Sequence, residues 1–220
     1  MTTVSAHAPA MKRLERSLLF CGIISSLLYA AINFITPFYF PGYNIASQTV
    51  SELSAIDAPS RSLWVGLCSF YSVSIIAFGC GIWIAAQSNR LLRTDAILFL
   101  IYGISGFFWP PMHLRETIAA GGGTFTDTMH IAFAIATILL MMLMIGFATG
   151  ALGKQFRLYS ILTLILFMVF GFLTGKESPG ISSGQPTPWI GIWERINIGL
   201  FLLWVIVLAL VLLRVTRTKT

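Results

Sequence analysis

Apolar residues along this chain do not alternate with polar ones; they run on in blocks. Six blocks, residues 17–40, 62–87, 95–112, 128–152, 158–174 and 191–213, are long enough to cross about 30 Å of hydrocarbon as helix. The period-two alternation that a membrane β-barrel requires is missing. The pattern therefore predicts an all-α polytopic membrane protein with six transmembrane helices in a single membrane domain over residues 1–220. Six crossings put both termini on one side. Connections on that side are short, whereas those on the other, 41–61, 113–127 and 175–190, run to about fifteen to twenty residues, longer than most helix connections and of the kind that carries function.

The first long connection holds the stretch Ser47 to Ser60, unusually polar for this chain. Thr49 and Glu52 have the spacing of a capping box, in which each satisfies the other's free amide. They predict a short extra helix with Val50, Leu53 and Ile56 on one face, stopped at Pro59, after which Ser60 or Asp57 can cap the second span.

Composition agrees with the block pattern. A hydrophobic fraction of 56%, only 10% charged residues and a mean hydropathy of +0.83 exclude one soluble core of this size. The basic residues Lys12, Arg13 and Arg16 before an apolar run also fit a signal peptide. That run continues to Phe40 without a small-x-small cleavage site, so the segment is read as a retained span.

Charge sets the orientation. Ten of the fourteen Lys and Arg residues fall on the side of the termini, with Glu15 and Asp95 as its acids. The other side carries Arg61, Arg115, Lys176 and Arg195 against six acids, Glu52, Asp57, Glu116, Asp127, Glu177 and Glu194. Positive loops stay inside, so both termini are expected in the cytoplasm, the long loops outside, and the protein in the plasma membrane. The basic balance then reports insertion topology and anionic inner-leaflet lipid, not a nucleic-acid partner. Cys21, Cys68 and Cys80 all lie in apolar blocks and form no disulfide framework or CxxC metal signature.

The candidate chemistry is on the outer side. Glu52 is either a cap or a ligand-facing carboxylate. His113 follows Trp109-Pro110-Pro111, where two prolines end the third span, and His130 lies one turn inside the fourth. Asp127 and His130 share a helix face at i, i+3, which is half of a metal site; Asp127 is equally placed to be the N-cap of that span. Glu194 and Arg195 open the sixth span, where a charge needs a partner or must snorkel to the headgroups. Adjacent helical residues point apart, so each is expected to seek a group on another helix, from among Glu52, Asp127, His113 and His130. Trp189 and Trp193 read as interfacial anchors, and Lys176 and Glu177 as a solvated helix exit. Ser51 has no base fixed beside it by sequence, and no GxGxxG, P-loop, GxSxG or HExxH motif occurs.

Taken in order, Tyr43-Asn44, Ser51-Glu52-Leu-Ser-Ala-Ile-Asp-Ala-Pro59, Trp109-Pro110, Asp127-x-x-His130 and Gly191-x-x-Glu194-Arg195-Ile resemble the domain-of-unknown-function family 998 of bacterial and archaeal membrane proteins, over nearly the whole chain. The resemblance implies a six-helix membrane protein and supplies no activity. Two departures stand out: Pro111-Met112-His113 follows the aromatic-Pro pair where the family places an acid, and Asp127 stands where the family often has a first histidine. The first loop also looks like that of the Frag1/DRAM-type six-helix proteins, some linked to lipid-anchor remodelling.

Two functions fit these residues. In one, Glu52, His113, Asp127, His130, Glu194 and Arg195 line an outward-facing vestibule that binds a lipid headgroup or small polar ligand, with Arg195 holding an anionic group. In the other, Asp127, His130 and His113 hold a transition metal such as zinc, with Glu52 as general base of a membrane hydrolase or transferase. A transporter or a structural partner subunit are further readings; the inner halves of the spans offer few ionisable groups for a transport path.

Overall fold

The computed structural model describes residues 7–218, which are helical over most of their length and contain no strand. Six long helices are apolar enough to cross a membrane. They are α1 (His7–Ile35), α2 (Arg61–Ala86), α3 (Arg90–Ser105), α4 (Phe125–Ala151), α5 (Lys154–Glu177) and α6 (Ile190–Thr218). Most helices outrun the apolar blocks, because a helix that satisfies its own backbone continues into the polar flank once the hydrocarbon ends. Thus α3 starts five residues before the expected 95, where the Asn89 side chain accepts the amides of Leu91 and Leu92. Its far end falls short of the expected 112. A 3-10 turn over Gly106–Phe108 follows, and Trp109 is extended at ψ 118° ahead of Pro110, as a residue before proline must be.

Each helix packs on the next, and α6 closes back on α1, so the six form a ring. Half of the apolar window of α6 is buried inside the bundle against 17% for α4 and α5, which therefore turn most of their Leu, Ile, Met and Phe side chains outward to lipid. The interior is aromatic. Trp204 of α6 stacks on Phe99 of α3, Phe99 meets Phe78 of α2 edge-on, and the Trp204 indole N–H donates to Ser160 Oγ of α5 at 3.0 Å. Helices α1 and α2 approach so closely that a Cβ at Gly81 would lie 2.9 Å from the backbone of Leu18 and Leu19, the small-residue contact expected where lipid supplies no hydrophobic drive. All three cysteines are free thiols.

The three long connections gather at one end of the ring. Ile56 N–H donates to Met112 O at 2.7 Å, joining the first connection to the second, and Gly191 N–H donates to Ala46 O at 2.9 Å, joining the first to the start of α6. Here the short helix of the first connection is a 3-10 turn, Val50–Ser54.

Candidate functional site

The site is built on the segment Tyr43–Ser54. Asn44 Oδ1 accepts the amides of Ala46 and Ser47, an Asx turn, and Gln48 Oε1 accepts Asn44 N–H at 2.7 Å. Glu52 then takes both the amide (2.9 Å) and the hydroxyl (3.1 Å) of Thr49 on Oε1, which is the glutamate half of the expected capping box. Its carboxylate is fully buried and is met by Arg115 in a two-pronged pair, Nη2 to Oε1 at 2.6 Å and Nε to Oε2 at 2.8 Å; Gln48 Nε2 adds a second donor on Oε2. Burial of the guanidinium works against its charge, but the hydrogen bond and charge of Glu52 outweigh that and hold Arg115 above its ordinary pKa. Arg115 also donates to Ser47 O and to Thr187 Oγ1, so it ties the second and third connections to the first.

The opening of α6 clamps the same segment from the other side. A Cβ at Gly191 would collide with the carbonyl oxygens of Ile45 and Gln48, so only glycine lets the loop backbone lie on the helix. Glu194 Oε2 accepts the Val50 amide at 2.5 Å. Arg195 donates to the carbonyls of Ile45, Gln48 and Gly191 and to Tyr43 Oη at 2.6 Å. Burial pushes the Tyr43 phenol up to about 12 against the opposing pull of Arg195, so it remains an O–H and donates to Thr49 O at 2.7 Å. The two charges on α6 thus find loop backbone and a phenol, not the acids and histidines expected for them. A lone buried carbonyl or amide is itself costly, and the loop has many.

Asp127 is not the N-cap of α4. Thr124 is, and Asp127 stands at the third helical position, accepting Thr124 N–H at 2.7 Å. The helix starts early enough to leave the carboxylate facing back over the loop, where it also takes the His113 amide at 2.7 Å and ring Nδ1 at 2.9 Å. Glu177, expected to be solvated, instead accepts the Trp189 amide and the Trp193 indole N–H.

His130 lies one turn further in, 5% exposed. Its Nδ1 is 2.8 Å from Pro110 O and 3.2 Å from the Trp109 indole nitrogen, and its Nε2 is 3.0 Å from Ser51 Oγ. Two contacts compete for Nδ1: Pro110 O at 2.8 Å calls for a proton on it, whereas the Trp109 indole N–H at 3.2 Å, which can only donate, calls for a lone pair. In the neutral ring protonated at Nδ1, Nε2 accepts the Ser51 hydroxyl; in the other tautomer Nε2 donates to it.

Four of the six residues singled out by sequence lie on or contact this segment, Glu52, His130, Glu194 and Arg195, while Asp127 and His113 pair with each other. Asp127, His113 and His130 do not assemble as a ligand trio: among the described residues no three His, Cys, Asp or Glu side chains are grouped to hold a metal ion. Arg115, Tyr43 and Ser51 complete the arrangement and carry little local signal. Arg115 was marked only by being one of four cations on its side.

The chain matches the family model described as "Protein of unknown function (DUF998)" over residues 23–211. It is also 29% identical over 136 residues to a UPF0328 protein of Encephalitozoon cuniculi (strain GB-M1), a match that covers 59% of this chain and 51% of that protein. The chain thus spans about half the length of that relative. No solved structure matches it. With six membrane-crossing helices and a family match over most of its length, this chain belongs to the DUF998 family.

Proposed function

We propose that the loop end of the ring faces the extracytoplasmic side of the plasma membrane and binds the headgroup region of a membrane lipid or a similar small anion. One observation carries this reading: the two acid–base pairs of the cap are polarised. Their carboxylates lie inward, Glu52 at 0% and Asp127 at 11% side-chain exposure, and their donors lie outward, Arg115 at 19% and His113 at 20%. Buried acids under surface donors hold those donors in place for an anionic group. Trp189 is exposed on the third connection, as tryptophan is at headgroup level. The excess of Lys and Arg on the opposite side supports the orientation. Arg195 is not the anion holder in this reading, since its guanidinium serves loop carbonyls.

The test is native mass spectrometry of the protein released from nanodiscs of phosphatidylglycerol and of phosphatidylcholine. Wild type is expected to retain the anionic lipid in preference, and His113→Ala to lower that retention several-fold with the helix content unchanged. Equal retention of both lipids by wild type, or of phosphatidylglycerol by wild type and variant, overturns the proposal.

A further inference from the structure

Most polar contacts in the cap have a structural reason: they satisfy loop backbone or pair a buried charge. The contact between Ser51 and His130 has none of that kind. It satisfies no backbone group and neutralises no charge, yet it joins residues 79 apart in sequence at 3.0 Å. The ring is positioned on its other side by a backbone carbonyl, Pro110 O, itself fixed by the two prolines that stop α3. Trp109 meets the imidazole edge-on, with centroids 5.4 Å apart, and the next turn of α4 adds Phe133 against Trp109. The imidazole is therefore buried and oriented, while the serine at the turn of the 3-10 segment is part-exposed. In the tautomer that donates from Nδ1 to Pro110 O, which the Trp109 indole N–H at 3.2 Å opposes and a bound ester would favour by accepting the serine, a hydroxyl within reach of the free imidazole nitrogen is the arrangement of an activated nucleophile.

We infer that Ser51 and His130 form a nucleophile–base pair that cleaves or transfers the acyl group of a lipid ester. Nε2 takes the hydroxyl proton as Ser51 Oγ bonds to the ester carbonyl carbon. The ester C–O bond then breaks, and the departing alkoxide takes the proton from the imidazolium, leaving an acyl-serine. Water or a second alcohol attacks that acyl group with its proton passing to Nε2. The Oγ–C bond breaks, and Ser51 regains its proton.

The substrate class follows from depth and rests on the lipid reading of the cap. Phe107, Phe108, Phe125 and Ile131 are all 48–73% exposed, on the segments that carry Trp109 and His130, and so mark hydrocarbon beside the pair. His113 and Arg115 mark headgroup level just beyond it. The bond that joins these two layers of a bilayer lipid is the carboxylic ester.

The full-length protein, reconstituted in phosphatidylethanolamine–phosphatidylglycerol vesicles, is treated with a fluorophosphonate probe, and the adduct is located by peptide mass spectrometry. Labelling at Ser51 is expected, lost in Ser51→Ala and slowed at least about 100-fold in His130→Gln. Thermal unfolding of His130→Gln reports that it is folded. A folded wild type unlabelled at Ser51, or equal rates in wild type and a folded His130→Gln, overturns the pair, whether or not anionic lipid is retained. Fatty acid released, or acyl chain moved to an added alcohol, by wild type but not by Ser51→Ala supports the ester substrate; Ser51 labelling with neither product overturns it.

Discussion

Two acidic residues five positions apart, Glu52 and Asp57, illustrate how differently neighbours in one loop can matter. Glu52 is sealed from solvent with five donor contacts on its two oxygens. Glu52→Gln leaves the Arg115 guanidinium without a counter-charge and turns an amide NH2 toward at least one donor. Breaking one side of a buried pair costs about 3–5 kcal/mol, so a loss near the low end of that range is expected in a denaturant melt, given that Arg115 is part-exposed. Asp57 is exposed and sits at φ +67°, a backbone conformation glycine adopts without strain. Asp57→Gly is expected to leave the same melt within about 1 kcal/mol of wild type, the relief of strain offsetting the gain in unfolded-chain freedom. The capping-box spacing marked Glu52 in the sequence because a cap is local. Nothing local marks Arg115, 63 residues away, or joins Ser51 to His130; those contacts exist only once α3 and α4 have set the second connection against the first.

At the scale of the element, the six spans were legible because the hydrocarbon imposes a length and a composition that any one helix must meet by itself. Their ends were less so. The starts of α3 and α4 are set by Asn89 and Thr124 on the polar side of each apolar block, three to five residues before hydropathy rises. Misplacing the start of α4 is what made Asp127 look like the N-cap, when it is the third helical residue, which closes the capping box with Thr124 and also accepts from His113. Two element-scale outcomes are expected. Gly191→Ala drives a methyl into the Ile45 and Gln48 carbonyls, so the first connection should lift from α6 and become cleavable by protease within 41–60 while the helices stay intact. In α3, Asp95 is fully buried, and among the described residues neither of its oxygens meets a hydrogen-bond partner. Such a group adds nothing to hold the helices together, and Asp95→Leu is expected to raise the thermal midpoint rather than lower it.

For the whole molecule, the even number of spans and the charge imbalance were readable from the chain, but the closure of the ring was not. It depends on which faces of α6 and α1 fit, and hydropathy is blind to that. Orientation is tested by single-cysteine variants in a cysteine-free background: Ser182→Cys, on the exposed third connection, is expected to react with an impermeant maleimide on intact cells, and Gln155→Cys, at the exposed start of α5, only after permeabilisation. The reverse pattern would invert the protein in the membrane.

The clamp between the first connection and α6 has a consequence during synthesis. Val50 and Ile45 meet Glu194 and Arg195 across 144 and 150 residues, so at about 5–20 residues per second the loop leaves the ribosome roughly 7–30 s before its fastener exists. Until then its amides and carbonyls must be kept wet or held by a chaperone. A nascent chain that loses its last helix would be five spans with an unlatched door, an obvious mark for the proteases that police membrane assembly.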